Sequence, residues 1–364
     1  MKKTLIATAV AAVIAAPAAM ADITLGGQLQ AEIVNASGDG VIGNGDDVAT
    51  GSGEGIYMSD GWEGGKANSG SASAFFIKGS HDIGNGLTGL YKLNLKPKFG
   101  DGVNEIGGRD AFIGLKGGFG TILLGKLATP YKSSTVKWDP FLGTFMQARG
   151  NGGMSGPGHN GYLDNTLAYA NKFGPATIVA AVGFDESHNN PTNTANPRET
   201  DGDHGYTFSV NAPIGPVELA AAYIDSAGRD GVLGKDVAGI DADAANNGNN
   251  VEAIKVGLKY GGGDISPLTL AAHYETIDVG GVAAFDQIFA TAGYMFGANT
   301  VSLNAGVRQP DKGDDGEYYA LGLNHAFNKS VSALIGVSKS DDQDGKSNDD
   351  DDVTLAGLSM RVKF

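Results

Sequence analysis

Apolar and polar residues alternate along most of this chain. Ile23, Leu25, Gly27, Leu29, Ala31 and Ile33 fall on one side, and Thr24, Gly26, Gln28, Gln30 and Glu32 on the other. That period of two is what a strand with two unlike faces requires. Val301, Leu303, Ala305 and Val307 oppose Ser302, Asn304, Gly306 and Arg308 in the same way, and Val331, Ala333, Ile335 and Val337 oppose Ser332, Leu334, Gly336 and Ser338. Further segments of this kind fall near 71–82, 87–98, 108–117, 120–127, 162–171, 175–184, 205–212, 216–225, 251–260, 267–278, 285–296, 317–327 and 352–364. Together they make about sixteen strands, each close to the length that a tilted barrel strand needs to cross a bilayer.

The connections support this reading independently. Short ones at Ile83–Gly86, Gly117–Gly120, Lys172–Pro175, Pro213–Pro216, Gly261–Pro267, Gly297–Ala298 and Asn328–Lys329 alternate with long ones such as Asn35–Gly70, Lys132–Gly161, Asp185–His204, Ser226–Asn250 and Ser340–Asp351. Val279–Ala284 is shorter than its place in the series suggests. A sandwich gives no reason for such alternation, whereas a membrane barrel has short turns on one side and long loops on the other. Glu32 facing lipid would cost up to about 2–4 kcal/mol near the midplane, so the polar face must meet water in a lumen. Phe119, Phe173, Tyr260, Tyr294, Phe296, Phe327 and Phe364 gather beside the short turns, as an interfacial girdle would. The expected fold is all-β: one domain, 22–364, forming a sixteen-stranded antiparallel transmembrane barrel with both ends on the periplasmic side.

The run RDAFIGLKGGFGTILLGK, Arg109–Lys126, carries more than periodicity. It resembles the general porins of Gram-negative outer membranes, of the neisserial and β-proteobacterial type, in which such a hairpin leads into a loop that folds into the pore. The resemblance implies an outer-membrane homotrimer that passes small hydrophilic solutes by diffusion and has no catalytic site. It also implies that the third loop, about Ala128–Asn160, bends inward as a constriction. Phe364, closing the alternating strand of Leu358, Met360 and Val362, looks like that family's signal to the barrel assembly machinery. Lipid and lipopolysaccharide are then the surroundings of the outer wall.

Composition agrees with this picture. Hydrophobic content of 41% and a mean hydropathy of −0.12 look like a soluble protein, but a barrel strand shows lipid only every second residue. Glycine at 58 against proline at 12 suits many tight turns. With no cysteine there are no disulfides, zinc–thiolate sites or thiol nucleophiles. A net charge of −15 argues against nucleic-acid binding. Residues 1–21 read as a secretory signal, with basic Lys2 and Lys3, an apolar Leu5–Ala16 core and a small-residue Ala19-Met20-Ala21 cleavage site. Cleavage there takes the formal charge to −17.

Other candidate chemistry is weak. Gly38–Gly43 fits G-x-G-x-x-G without the strand–turn–helix context that gives the motif meaning. Asp311–Glu317 and Asp341–Asp352 are oxygen-rich, but the first lacks the full spacing of a calcium loop, and the second, with seven aspartates against Lys346 alone, reads as a solvated acidic loop. No cofactor is expected beyond diffuse calcium or magnesium at these acidic loops. The six histidines share no catalytic spacing with a serine or carboxylate.

Charge pulls the expected ion preference two ways. The loops are acidic, yet 72–161 carries ten basic residues against five acidic ones, leaving −22 for the rest of the mature chain. Lys92, Asn94, Lys96 and Lys98 share the face opposite Tyr91, Leu93 and Leu95, so these lysines should line the lumen. Lys78, Arg109 and Lys126 are expected on adjoining strands, though Arg109 has the parity of Ala111 and falls toward the rim. In the loop, Trp138–Thr144 reads as the inward tip, where Asp139 stands among Lys132, Lys137 and Arg149. The expected constriction set is therefore Lys78, Lys92, Lys96, Arg109, Lys126, Lys137, Asp139 and Arg149, with anions preferred above roughly 0.1 M salt, where mouth charges are screened. The alternative is a substrate-specific channel, for phosphate or a small carboxylate, with a binding site in the pore.

Overall fold

A computed structural model describes residues 22–38, 54–59, 62–63, 66–67, 72–97, 106–149, 151, 153–154, 161–184, 204–225, 250–311, 314–341 and 352–364. The segment 1–21 read as a secretory signal, most of the G-x-G-x-x-G stretch and most of the second acidic loop lie outside these residues. The chain opens with β1 (Asp22–Ser37), followed by the short strands β2 (Gly55–Ser59), β3 (Trp62–Glu63) and β4 (Lys66–Ala67). Then come β5 (Ala74–Gly84), β6 (Leu87–Pro97), β7 (Ile106–Gly117), β8 (Gly120–Ala128), β9 (Tyr162–Phe173), β10 (Ala176–Gly183), β11 (Gly205–Ile214) and β12 (Val217–Asp225). The ring continues through β13 (Val251–Gly261), β14 (Leu268–Val279), β15 (Val282–Phe296), β16 (Asn299–Pro310), β17 (Gly316–Ala326), β18 (Val331–Ser340) and β19 (Val353–Lys363).

Each long strand pairs antiparallel with its sequence neighbour, and β1 closes the ring against β19 on one edge and β5 on the other. Setting aside β2, β3 and β4, the wall is a closed sixteen-stranded antiparallel barrel. Closure removes every unpaired edge, which a lipid environment demands because it offers backbone groups no other partner.

Burial is inverted relative to a water-soluble protein. Ile23, Leu25, Ile33, Ile113, Leu258 and Ile335 are exposed on the outside, while Gln30, Glu32, Lys255, Glu275, Asn304 and Arg308 are buried within. Phe119, Phe173, Tyr294, Phe296, Phe327 and Phe364 are all exposed at the short-turn end, as a belt at the headgroup level would be. The ends meet there: Gly27 N–H donates to Phe364 O at 2.9 Å and Phe364 N–H to Gly27 O at 3.1 Å.

One difference from the sequence reading lies in the first long loop. Its Gly55–Ser59 returns as β2 and pairs with Glu32–Ala36 of β1, beyond the point where β5 stops at Gln28. Gln30 N–H, between the two partners, donates instead to Ser73 Oγ at 3.1 Å. The wall is thus completed by a piece of loop where the second full strand is too short.

Candidate pore constriction

The segment after β8 enters the barrel through a helix, α1 (Pro130–Thr135), followed by a single 3-10 turn, Val136–Trp138. Thr129 caps the helix, its Oγ1 accepting from Lys132 N at 3.0 Å, and Pro130 at the first position loses no hydrogen bond there. Tyr131 N–H donates to Thr207 Oγ1 at 3.2 Å, and Asn211 Nδ2 to Ser134 O at 2.9 Å, so the helix lies on β11. Lys255 of β13 donates to Tyr131 O at 2.8 Å, and its ammonium sits 4.0 Å from the centre of the Tyr131 ring. Glu275 balances it at 3.9 Å and meets His273 Nε2 at 3.0 Å, all of these side chains being fully buried.

Beyond the helix the loop runs along the inward face of the wall, seated on glycines. A Cβ on Gly257 would stand 2.7 Å from the Trp138 ring, and one on Gly306 2.6 Å from Gly153 Cα. Gly322 and Gly336, in register on β17 and β18, lie under Phe141 and Met146. Where side chains are absent from the wall, apolar loop residues fill the space. Phe141, Phe145 and Met146 join Val34, Phe289, Tyr318, Leu334 and Leu355 in one cluster, which explains apolar residues on the inner face. Burying each of the large ones contributes about 1.5–3 kcal/mol. Gly322→Val should therefore overpack the seat by about 1–3 kcal/mol and lift the loop. The check is single-channel noise alongside the melting temperature: an unchanged trace would show that the seat does not hold the loop.

Asp139 is spent on the loop's own fold. Its carboxylate accepts from Phe141 N at 2.9 Å, Ala148 N at 2.7 Å and Asn304 Nδ2 at 2.8 Å. Burial pushes its pKa up to about 6, and the two backbone donors, Asn304 and the Arg149 charge hold it from going higher. The sequence places Asp139 at the tip as a lumen charge; in the structure it is 3% exposed and turned into the loop.

The remaining expected residues separate into groups. Lys78 (β5) and Lys92 (β6) are in register on the inward face. Lys78 is exposed, its ammonium 5.3 Å from the Phe76 ring centre. Lys92 is ion-paired with Asp110 at 2.5 Å, and Asp110 also accepts from Ala128 N at 3.1 Å. Lys96 lies on the same face of β6 beyond a register shift, opposite Gly107, and Arg109 sits at the shift itself. Lys126 is in register with Ala111, between Leu124 and the inward Leu127, so strand alternation turns it to the outer side. It pairs there with Asp164 at 2.9 Å. Lys137 is exposed on the loop, while half-buried Arg149 bonds Gln147 Oε1 at 3.3 Å. The sequence reading missed Asp110 as the partner of Lys92; the two are 18 residues apart, and the shift at Arg109 disguises their approach.

Among the described residues no three His, Cys, Asp or Glu side chains gather to hold a metal. No helix there is long and apolar enough to cross a membrane, which bears on helices and not on strands.

Comparison with known proteins places these features in context. A family model described as Gram-negative porin matches residues 7–345. The major outer membrane protein P.IB of Neisseria gonorrhoeae is 29% identical over 384 aligned residues, with 100% of both chains covered. That of Neisseria meningitidis serogroup B is 37% identical over 134 residues, covering 37% of this chain and 36% of the relative. Among solved structures, an anion-selective porin from Comamonas acidovorans superposes with a TM-score of 0.69 at 17% identity, covering 94% of this chain and 100% of that one. OmpF of Salmonella typhi in complex with daunomycin gives 0.66 at 16% identity, covering 94% and 97%. The trimer form of OmpT from Vibrio cholerae gives 0.62 at 14%, covering 94% and 99%.

Proposed function

We propose, from the premise that this chain belongs to the Gram-negative porin family, that it is an anion-preferring diffusion channel narrowed by the 129–154 loop. Porins are channels of the outer membrane rather than enzymes, and the lipid-facing barrel fits that place. The observation that carries the anion preference is an imbalance of displayed charge. The one carboxylate expected to oppose the basic wall, Asp139, is engaged by backbone amides and Asn304, and Asp110 is paired with Lys92. Lys78 and Lys137 are exposed, and neither has an ion-paired carboxylate among the described residues.

Those two lysines come from opposite sides. In the ring order β5 is the second wall strand and β13, on which Trp138 packs beside Lys137, is the tenth. An ion in the narrows then meets positive charge from wall and loop alike rather than a field running from one sign to the other. Charges in a narrow, partly dehydrated passage act on every permeating ion, whereas those at a wide mouth are screened within about 8–10 Å at physiological salt. The Comamonas neighbour, described as anion-selective, accords with this reading. A trimer is the assembly we infer, as for the OmpT neighbour described in a trimer form. Reversal potentials across a potassium chloride gradient provide the test. An anion-selective potential above roughly 0.1 M salt is expected, with conductance rising linearly with concentration. Cation selectivity there would refute the preference, and saturation would point to a binding site instead.

A further inference from the structure

The loop is anchored at its root by Lys255 and along its middle by the glycine seats; its far end is held differently. There, Arg361 of β19 donates through Nε to Gln30 Oε1 at 2.6 Å and through Nη2 to Leu142 O at 3.1 Å and Gly143 O at 3.4 Å. Gln30 of β1 in turn donates to Gly143 O and to Glu32 Oε1, the latter at 2.9 Å, and Glu32 Oε1 accepts from Phe145 N at 3.2 Å. Three parts of the chain that are remote in sequence meet at this point.

We propose that Arg361 is the positioning residue of the constriction, gripping the loop's end at the seam where the first and last strands close the ring. The apolar seats favour burial but do not fix direction, since hydrophobic contact is non-directional. Peptide carbonyls do fix direction when a planar guanidinium takes several acceptors at once. Gly143, at φ +75, has its α-hydrogen side against Arg361 and Ala72, where a Cβ would stand 3.3 Å and 3.2 Å from them. Gln30 and Arg361 are Cα partners across the β1–β19 pairing, so the grip requires that pairing. The narrowing therefore forms only in a barrel whose ends have met, and an unclosed chain keeps its loop unlatched.

The inference rests on the channel reading, and the test keeps the two apart. Full-length protein carrying Arg361→Met, Arg361→Lys or Gln30→Met would be refolded, checked by the heat-modifiable gel shift, and recorded in planar bilayers. Arg361→Met and Gln30→Met should raise single-channel conductance by about 1.5-fold and increase open-channel noise, because a widened narrows passes more current. Arg361→Lys, which keeps a charged donor but not the fork, should fall between them and the wild type. Folded methionine variants with wild-type conductance and noise would overturn the proposal. So would failure of both to assemble, since the contact would then serve folding and not position. Wild-type protein that passes no current would instead remove the channel reading itself.

Discussion

Replacing Lys78 and Lys137 together by glutamate should reverse the sign of the channel's ion preference. A unit charge about 8 Å from the ion path is worth about 0.5 kcal/mol in water, and screening at physiological salt leaves roughly a third of that. Two reversed charges act oppositely on anion and cation, so the permeability ratio should shift by roughly tenfold. Lys126→Gln supplies the contrast, because Lys126 pairs with Asp164 on the outer side and should leave the reversal potential where it was. A double variant that keeps its anion preference, or a Lys126 variant with an equal effect, would show that the selectivity is set elsewhere.

Removal of Lys137–Phe145 should produce a larger channel in an intact barrel. The excised stretch carries Trp138, Phe141 and Phe145, each holding the loop down by about 1.5–3 kcal/mol of burial, together with Asp139 and the Gly143 carbonyl gripped by Arg361. None of its residues belongs to a wall strand, so the ladder of backbone bonds that makes the barrel is untouched. Conductance should rise by about twofold or more as the narrows widens. If folded deletant channels conduct like the wild type, the loop does not set the narrowest point.

Why the wall was legible and the latch was not follows from the range of the forces involved. A strand such as Val301–Val307 declares itself within eight residues, since lipid on one side and water on the other impose a period of two. Boundaries slipped where that contrast fades: β15 starts at Val282 although Val282–Ala284 shows no alternation, and β2 is five residues in a glycine-rich stretch. The constriction depends on contacts that no local pattern announces. Gln30 and Arg361 lie 331 residues apart, and Asp139 reaches Asn304 across 165. Asp139 reads as a pore charge because a sequence cannot show two backbone amides converging on it. One clue was available: Gly306 and Gly336 stand on the water-facing side of their strands, where a polar side chain would cost nothing unless something packs there.

The Val279–Val282 hairpin has a consequence of a different kind. Its two central residues, Gly280 and Gly281, both have positive φ, +61 and +77, the pairing that a two-residue hairpin turn of matching twist requires. This turn joins β14 to β15 at the long-loop end, on the side opposite the aromatic belt, and Gly280 N–H donates to Asn250 O at 2.7 Å. The connection between these two strands is therefore short. Foreign peptide grafted between the two glycines would stand at the cell surface, across the ring from the closing seam. Exposed turn tips tolerate such insertion because little buried backbone is disturbed. The site is a natural place for epitope display, and permeation should continue beneath it.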